Sequence, residues 1–163
     1  MIKKVVSLVL VLVVVMLASC GTSSGLSKAE QQALLTQQVV AAVESRQFKI
    51  AVDWMKPLGW QPQYVTSNYV LKIDGDEVDS YLPYVGEAYS LPYGGGKGLI
   101  FEGQMEHYSM TKAAADRMVI EFDVRNEEDS YHYRIDLFTN GKAIIDVLAR
   151  DRDSISFEGE MVF

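Results

Sequence analysis

The spacing of apolar positions along this chain changes twice, and each change marks a different kind of element. Val5 to Met16 is an almost unbroken aliphatic run behind Lys3 and Lys4. Further on, Leu34, Leu35, Gln38, Val39, Ala42 and Val43 recur at steps of three and four, uninterrupted by proline or glycine. That is the period of a helix with one apolar stripe. Ser27 followed by Glu30 makes a capping box, in which each side chain accepts a backbone N–H at the helix start. A helix is therefore predicted over about 28–46, and its stripe must pack on something.

From Phe48 onward the period becomes two. Met118, Ile120, Phe122 and Val124 alternate with Val119, Glu121, Asp123 and Arg125. Tyr131, Tyr133, Ile135 and Leu137 alternate with His132, Arg134, Asp136 and Phe138. The polar turn Asn126-Glu127-Glu128-Asp129 lies between them, and Asn140-Gly141 supplies the positive φ angles of a tight hairpin before Lys142 to Leu148. Asp151-Arg152-Asp153 separates that strand from Ile155 to Val162. The last four strands thus read as consecutive hairpins.

The earlier half is less regular. It gives strands over Phe48 to Met55, Tyr64 to Ile73, Glu77 to Tyr81 and Leu99 to Met105, with His107 falling at a strand end. Pro57, Gly59 and Pro62 break the chain between the first two, and Asp74-Gly75 is a hairpin signal. No second helical stretch is long enough for a crossover between parallel strands. The fold class is mainly β (α+β): one N-terminal helix packed on an antiparallel meander of about eight strands. Such a meander curls into a small lipocalin-like up-and-down barrel, which removes exposed edges; the alternative is an open sheet with the helix on one face. Phe101-Glu102-Gly103-Gln104-Met105 echoes Phe157-Glu158-Gly159-Glu160-Met161, read as two similar edges of a curved sheet.

The first aliphatic run is too short for a comfortable membrane span and right for the core of a signal peptide. It ends in Leu17-Ala18-Ser19-Cys20, which resembles the bacterial lipobox. That resemblance implies cleavage before Cys20 and acyl chains on it, and two or three chains anchor a protein stably. The layout expected is a signal peptide over 1–19, a lipidated cysteine and tether over 20–26, and one domain over 27–163. The competing reading is an uncleaved helix with an incidental cysteine. Cys20 is the only cysteine, so no intramolecular disulfide forms. Gly21 follows it instead of the aspartate that retains enteric-type lipoproteins in the inner membrane, which favours the outer membrane, facing the periplasm.

Charge narrows the partners. Without residues 1–19 the chain keeps 13 basic and 22 acidic side chains, a net of −9. So acidic a surface opposes nucleic acid and anionic headgroups, and nucleic-acid binding is set aside.

Most chemistries fail on their spacing. Gly94-Gly95-Gly96-Lys97-Gly98 looks like a phosphate loop, but Leu91 stands where its first glycine belongs, and Gly98 where a hydroxyl should bind magnesium. It also leads into a strand instead of a helix N-terminus. There is no Gly-x-Ser-x-Gly elbow. His107 and His132 are the only histidines, and their separation carries no metal-ligand spacing. Asp74, Asp76, Glu77 and Asp79 cluster, yet Asp79 and Val85 occupy the glycine and glutamate places of a calcium loop. No cofactor and no metal is expected. The remaining signal is aromatic: Trp60, Tyr81, Tyr84, Tyr89 and Tyr93 sit on or beside loops, where large amphipathic rings suit contact with a ligand or partner.

Leu82-Pro83-Tyr84-Val85-Gly86-Glu87-Ala88-Tyr89, Pro92-Tyr93-Gly94-Gly95 and Gly98-Leu99-Ile100-Phe101-Glu102-Gly103 resemble the signature of domain-of-unknown-function family 4251, small lipoproteins and secreted proteins of Bacteroidetes. Asn140-Gly141 and Ile155-Ser156-Phe157-Glu158-Gly159 are similar too. The resemblance implies a lipoprotein with a helix and a β-meander, and carries over no catalytic residue. The function expected is a lipid-anchored, noncatalytic envelope module binding a small ligand or an envelope partner. The alternatives are a carboxylate-dependent hydrolase and a structural envelope protein.

Overall fold

The computed structural model describes residues 26–89 and 96–163. The expected signal peptide, Cys20, most of the expected tether, Gly94, Gly95 and Tyr93 lie outside the described residues. Helix α1 (Lys28–Glu44) is followed by eight strands: β1 (Gln47–Pro57), β2 (Gln63–Asp74), β3 (Glu77–Leu82), β4 (Leu99–Ala114), β5 (Arg117–Arg125), β6 (Ser130–Phe138), β7 (Lys142–Ala149) and β8 (Ile155–Val162). The capping box forms as expected: the Ser27 N–H donates to Glu30 Oε2 at 2.8 Å, and the Glu30 N–H to Ser27 Oγ at 3.3 Å. Gln32–Phe163 is one compact unit.

Each strand pairs antiparallel with the next, and β1 closes on β8 with Ile50 opposite Met161, giving a closed up-and-down barrel. The open-sheet alternative is not adopted. Inward positions follow the period-two pattern: Ile50, Leu71, Ile73, Leu82, Leu99, Ile120, Phe122, Tyr131, Tyr133, Ile135, Leu137 and Phe157 are fully buried. Phe122 stacks on Tyr133 at 5.0 Å, and Phe101 on Tyr131 at 4.8 Å. Such side chains fill the interior. Two hydroxyls buried there satisfy each other: Ser80 Oγ donates to Leu99 O at 2.8 Å and lies 3.0 Å from the Tyr133 hydroxyl.

The two echoing segments are not sheet edges, because β4 and β8 are interior members of the ring. Their glycines serve close approach. A Cβ on Gly159 would collide with the Ala51 carbonyl, and one on Gly103 would stand 2.7 Å from Val124.

β4 runs nine residues past its expected end at Met105, so His107 lies inside a strand, not at its end. Leu99–Gln104 pairs with β3 and Met105–Ala114 with β5, the register slipping between Glu106 and Ser109. His107 takes φ = 55° at this bulge. The slip breaks the alternation, and most of the far half is exposed on both faces, so its apolar pattern reads as loop.

The helix end of the barrel is closed by α1. Thr36 Oγ1 donates to Thr139 O in the β6–β7 turn at 3.4 Å, and the Gly75 N–H in the β2–β3 turn donates to Arg46 O at 2.8 Å. These turns face each other across the ring, so α1 crosses the mouth. It buries Val39 and Val43 completely, with Leu35, Val40 and Ala42 partly covered. Leu34 and Gln38, expected in the stripe, instead lie on the exposed side.

Candidate functional site

The other end of the barrel is closed by loops, and most of the exposed aromatic residues among the described ones gather there. Trp54 near the end of β1 pairs with Tyr64 at the start of β2, and Tyr81 near the end of β3 pairs with Ile100 at the start of β4; all four are exposed, an aromatic band made of two separate cross-strand pairs. Leu58 and Trp60 in the β1–β2 connection continue the band, and the Leu58 N–H donates to Ser154 O in the β7–β8 turn. Trp54 is 40 % exposed, Trp60 61 %, Tyr64 62 % and Tyr81 43 %. The rings are ordered by one another: Trp54 meets Tyr64 edge-on at 5.7 Å, and Tyr69 lies against Tyr81 at 5.4 Å. Exposed aromatic rings gathered at one end of a barrel suit contact with another surface.

The sequence-predicted residues divide on this geometry. Trp60 and Tyr81 belong to the exposed band. Tyr89, 69 % exposed, sits beside it, its hydroxyl donating to Asp153 Oδ1. Tyr84 has a different job: its hydroxyl donates to Glu87 O at 3.0 Å and to Asp153 O at 3.1 Å. Burial, then the Asp153 charge, pushes that phenol up to about 12. Gly86 and Gly98 press against the Tyr84 side chain, both at positive φ. Leu58, Tyr64 and Ile100 were missed because each looks like an ordinary strand or turn residue until the cross-strand pairs Trp54–Tyr64 and Tyr81–Ile100 form.

Beneath the loops lies a buried polar lock. Asp129, 2 % exposed, accepts from the backbone N–H groups of Ser130, Arg150 and Asp151 at 2.7–3.2 Å, and from Arg152 Nε at 3.2 Å. Arg152, 4 % exposed, also reaches Glu128 at 3.4 Å and stands over the Tyr84 and Tyr131 rings. The loop from β3 joins through an Ala88–Arg152 bridge, with the Tyr89 N–H donating to Asp151 O and the Asp153 N–H to Glu87 O. The Tyr89 hydroxyl and the Glu87 N–H hold the Asp153 carboxyl below its usual range. The Lys97 N–H donates to Glu128, so the tail of the glycine run supports a loop next to a strand, as its sequence context implied.

The remaining chemistry-bearing residues fall elsewhere. The acidic turn is partly neutralised in place, Asp76 pairing with Arg46 and Asp74 with Lys72 at 3.1 Å. The two histidines, distant in sequence, meet on Asp123: His107 Nδ1 is 3.0 Å from Oδ2 and His132 Nδ1 is 2.8 Å from Oδ1. Those bonds, His132 first, hold the Asp123 carboxyl below the ordinary value.

The chain matches the family model "Domain of unknown function (DUF4251)" over residues 30–161. It is similar to the crystal structure of a DUF4251 family protein from Bacteroides eggerthii DSM 20697, at 16% identity and a TM-score of 0.62, covering 80% of this chain and 91% of that one. At that identity the likeness speaks for the fold. No curated protein matches the sequence.

Proposed function

Since this chain belongs to the DUF4251 family, whose description carries no activity, we propose that it is a lipid-anchored, noncatalytic module of the cell envelope, holding a protein partner on its loop-end aromatic band. The observation that carries this reading is the contrast between a barrel filled by its own side chains and an exposed row of Trp54, Trp60, Tyr64 and Tyr81 outside it. A filled interior directs recognition to the outer face, and a convex row of aromatic rings suits an apolar protein surface better than a small ligand, which favours concavity. The lipobox-like Leu17-Ala18-Ser19-Cys20 supports the anchor.

The hydrolase alternative finds less support. A general acid needs a carboxyl pushed upward, whereas the shifted carboxyls here, Glu30, Asp123, Asp151 and Asp153, are all pushed down.

The test is site-specific photo-crosslinking in cells producing the full chain. A crosslinker at Trp60 or Tyr64 should trap one discrete envelope protein, while one at Leu148, also exposed but on β7, should not. Equal trapping from Leu148 would remove the band from consideration. In the same cells, Cys20→Ser should shift the protein from the membrane fraction to the soluble one; unchanged partition would remove the anchor.

A further inference from the structure

We propose that the far half of β4 is an open strand edge on which a second copy of this chain pairs, antiparallel and about a two-fold axis at Thr111. The opening follows from strand lengths. β3 has 6 residues, between 12 in β2 and 16 in β4. It pairs with β4 from Leu99 to Gln104 and stops at the β2–β3 turn, where the Met105 N–H donates to Asp76 O. Beyond that point β4 continues to Ala114 with β5 on one side, and among the described residues no strand pairs with the other. Ser109 to Ala114 are all exposed. Unpaired backbone N–H and C=O groups along such an edge accept another strand.

Charge points to a second copy as the occupant. The chain carries 22 acidic and 15 basic side chains, so two copies repel over most of their surfaces. Tyr108-Ser109-Met110-Thr111-Lys112-Ala113-Ala114 holds one lysine and no carboxylate. The open edge is therefore also a place where two copies meet without setting acid against acid. An edge paired with itself closes at two and occupies the free backbone groups of both.

Side chains set the axis. Between the irregularities at Glu106/Ser109 and Lys112/Ala114, Met110 and Lys112 lie opposite Ile120 and Met118, and Ser109 and Thr111 opposite Glu121 and Val119. Met110 and Lys112 thus share one face, Ser109 and Thr111 the other. An axis at Lys112 would set lysine against lysine, and like charges directly opposed destabilise a strand pair. An axis at Met110 would bring the copy's Lys112 onto Tyr108, where the Arg46 guanidinium already stands 4.1 Å over the ring. An axis at Ser109 would bring the copy's Ala113 to Met105, whose N–H is taken by Asp76. At Thr111 all three conflicts vanish. Thr111 meets its own copy, and each Met110 lies opposite a Lys112, whose aliphatic stem covers it.

The experiment is sedimentation velocity of the purified full chain in detergent over a range of concentrations, beside Met110→Glu, Met110→Lys and the control Leu148→Lys on β7. The parent should pass from monomer to dimer and no further. Each dimer holds the Met110–Lys112 pair twice, so Met110→Glu should tighten it by about tenfold and Met110→Lys weaken it by about tenfold. Net charge alone predicts the reverse order, because lysine lowers the negative charge of each copy and glutamate raises it. Leu148→Lys should accordingly dimerise no more weakly than the parent. Circular dichroism should show all three variants folded, since Met110 is 40 % exposed and Leu148 51 %. A parent that stays monomeric or assembles past the dimer would overturn the pairing. So would Met110→Lys dimerising as tightly as the parent, Met110→Glu failing to tighten it, or Leu148→Lys weakening it.

Discussion

The two ends of this barrel are closed by opposite means. At the helix end, α1 crosses the mouth and presses Val39 and Val43 into it, an apolar seal made by a single local element. At the loop end the closure is polar: Asp129 and Arg152 are buried together, and Tyr84, Glu87, Asp151 and Asp153 are stitched above them by hydrogen bonds. The apolar seal gains from each methylene removed from water and tolerates partial loss. The polar lock stands only while every partner is present, because an orphaned buried charge costs far more than a missing methyl. It is also the end that carries the aromatic band. A lock rigid in this way fixes the loops that present those rings, while leaving the rings themselves outside it.

Breaking the lock should therefore cost most. Asp129→Ala strips the acceptor from three backbone N–H groups and leaves the Arg152 guanidinium buried beside Glu128 alone. A loss of about 3–5 kcal/mol is expected, read as a drop in the urea midpoint. A loss below that of the next variant would mean that water has entered and the lock is not dry. At the opposite end, Val43→Ala removes two buried carbon groups and leaves a small cavity. About 2 kcal/mol should go in the same assay. An equal or larger loss at Val43 would reverse the ranking of the two ends.

The same contrast decides what the sequence could disclose. The apolar seal was legible because a helix writes its buried face into local spacing, although Leu34 and Gln38 fell on the wrong side of the stripe. The strands from β5 to β8 were legible for the same reason, with Asn140-Gly141 marking a turn whose glycine does take positive φ. The polar lock was not legible. Asp129, Arg152 and Tyr84 come from three loops far apart in the chain, and each alone resembles a solvated turn residue. Only barrel closure brings them together. The meeting of His107 and His132 on Asp123 was hidden twice, by the sequence distance between the histidines and by a bulge that masks β4 as a loop.

The smallest effect is also the most diagnostic of the lock. Tyr84→Phe removes one hydroxyl and leaves the Glu87 and Asp153 carbonyls without that donor, a loss of about 1 kcal/mol near neutral pH. Its pH dependence follows from the direction of the shift. The folded state holds the phenol up at about 12, chiefly by burial and then by the Asp153 charge, above the ordinary value near 10. The folded protein therefore keeps that proton where the unfolded chain releases it. This contribution is complete below about pH 10 and disappears as pH rises through about 12. Phenylalanine has no proton to lose, so the stability gap between parent and variant should narrow over that interval. Tyr131 and Tyr133, also pushed up by burial, titrate alike in both proteins and cancel from the difference. Urea unfolding at pH 8, 10 and 11 measures the gap directly. A gap that stays constant or widens would mean that the Tyr84 hydroxyl is open to water, and that the loop end is closed by packing, as the helix end is.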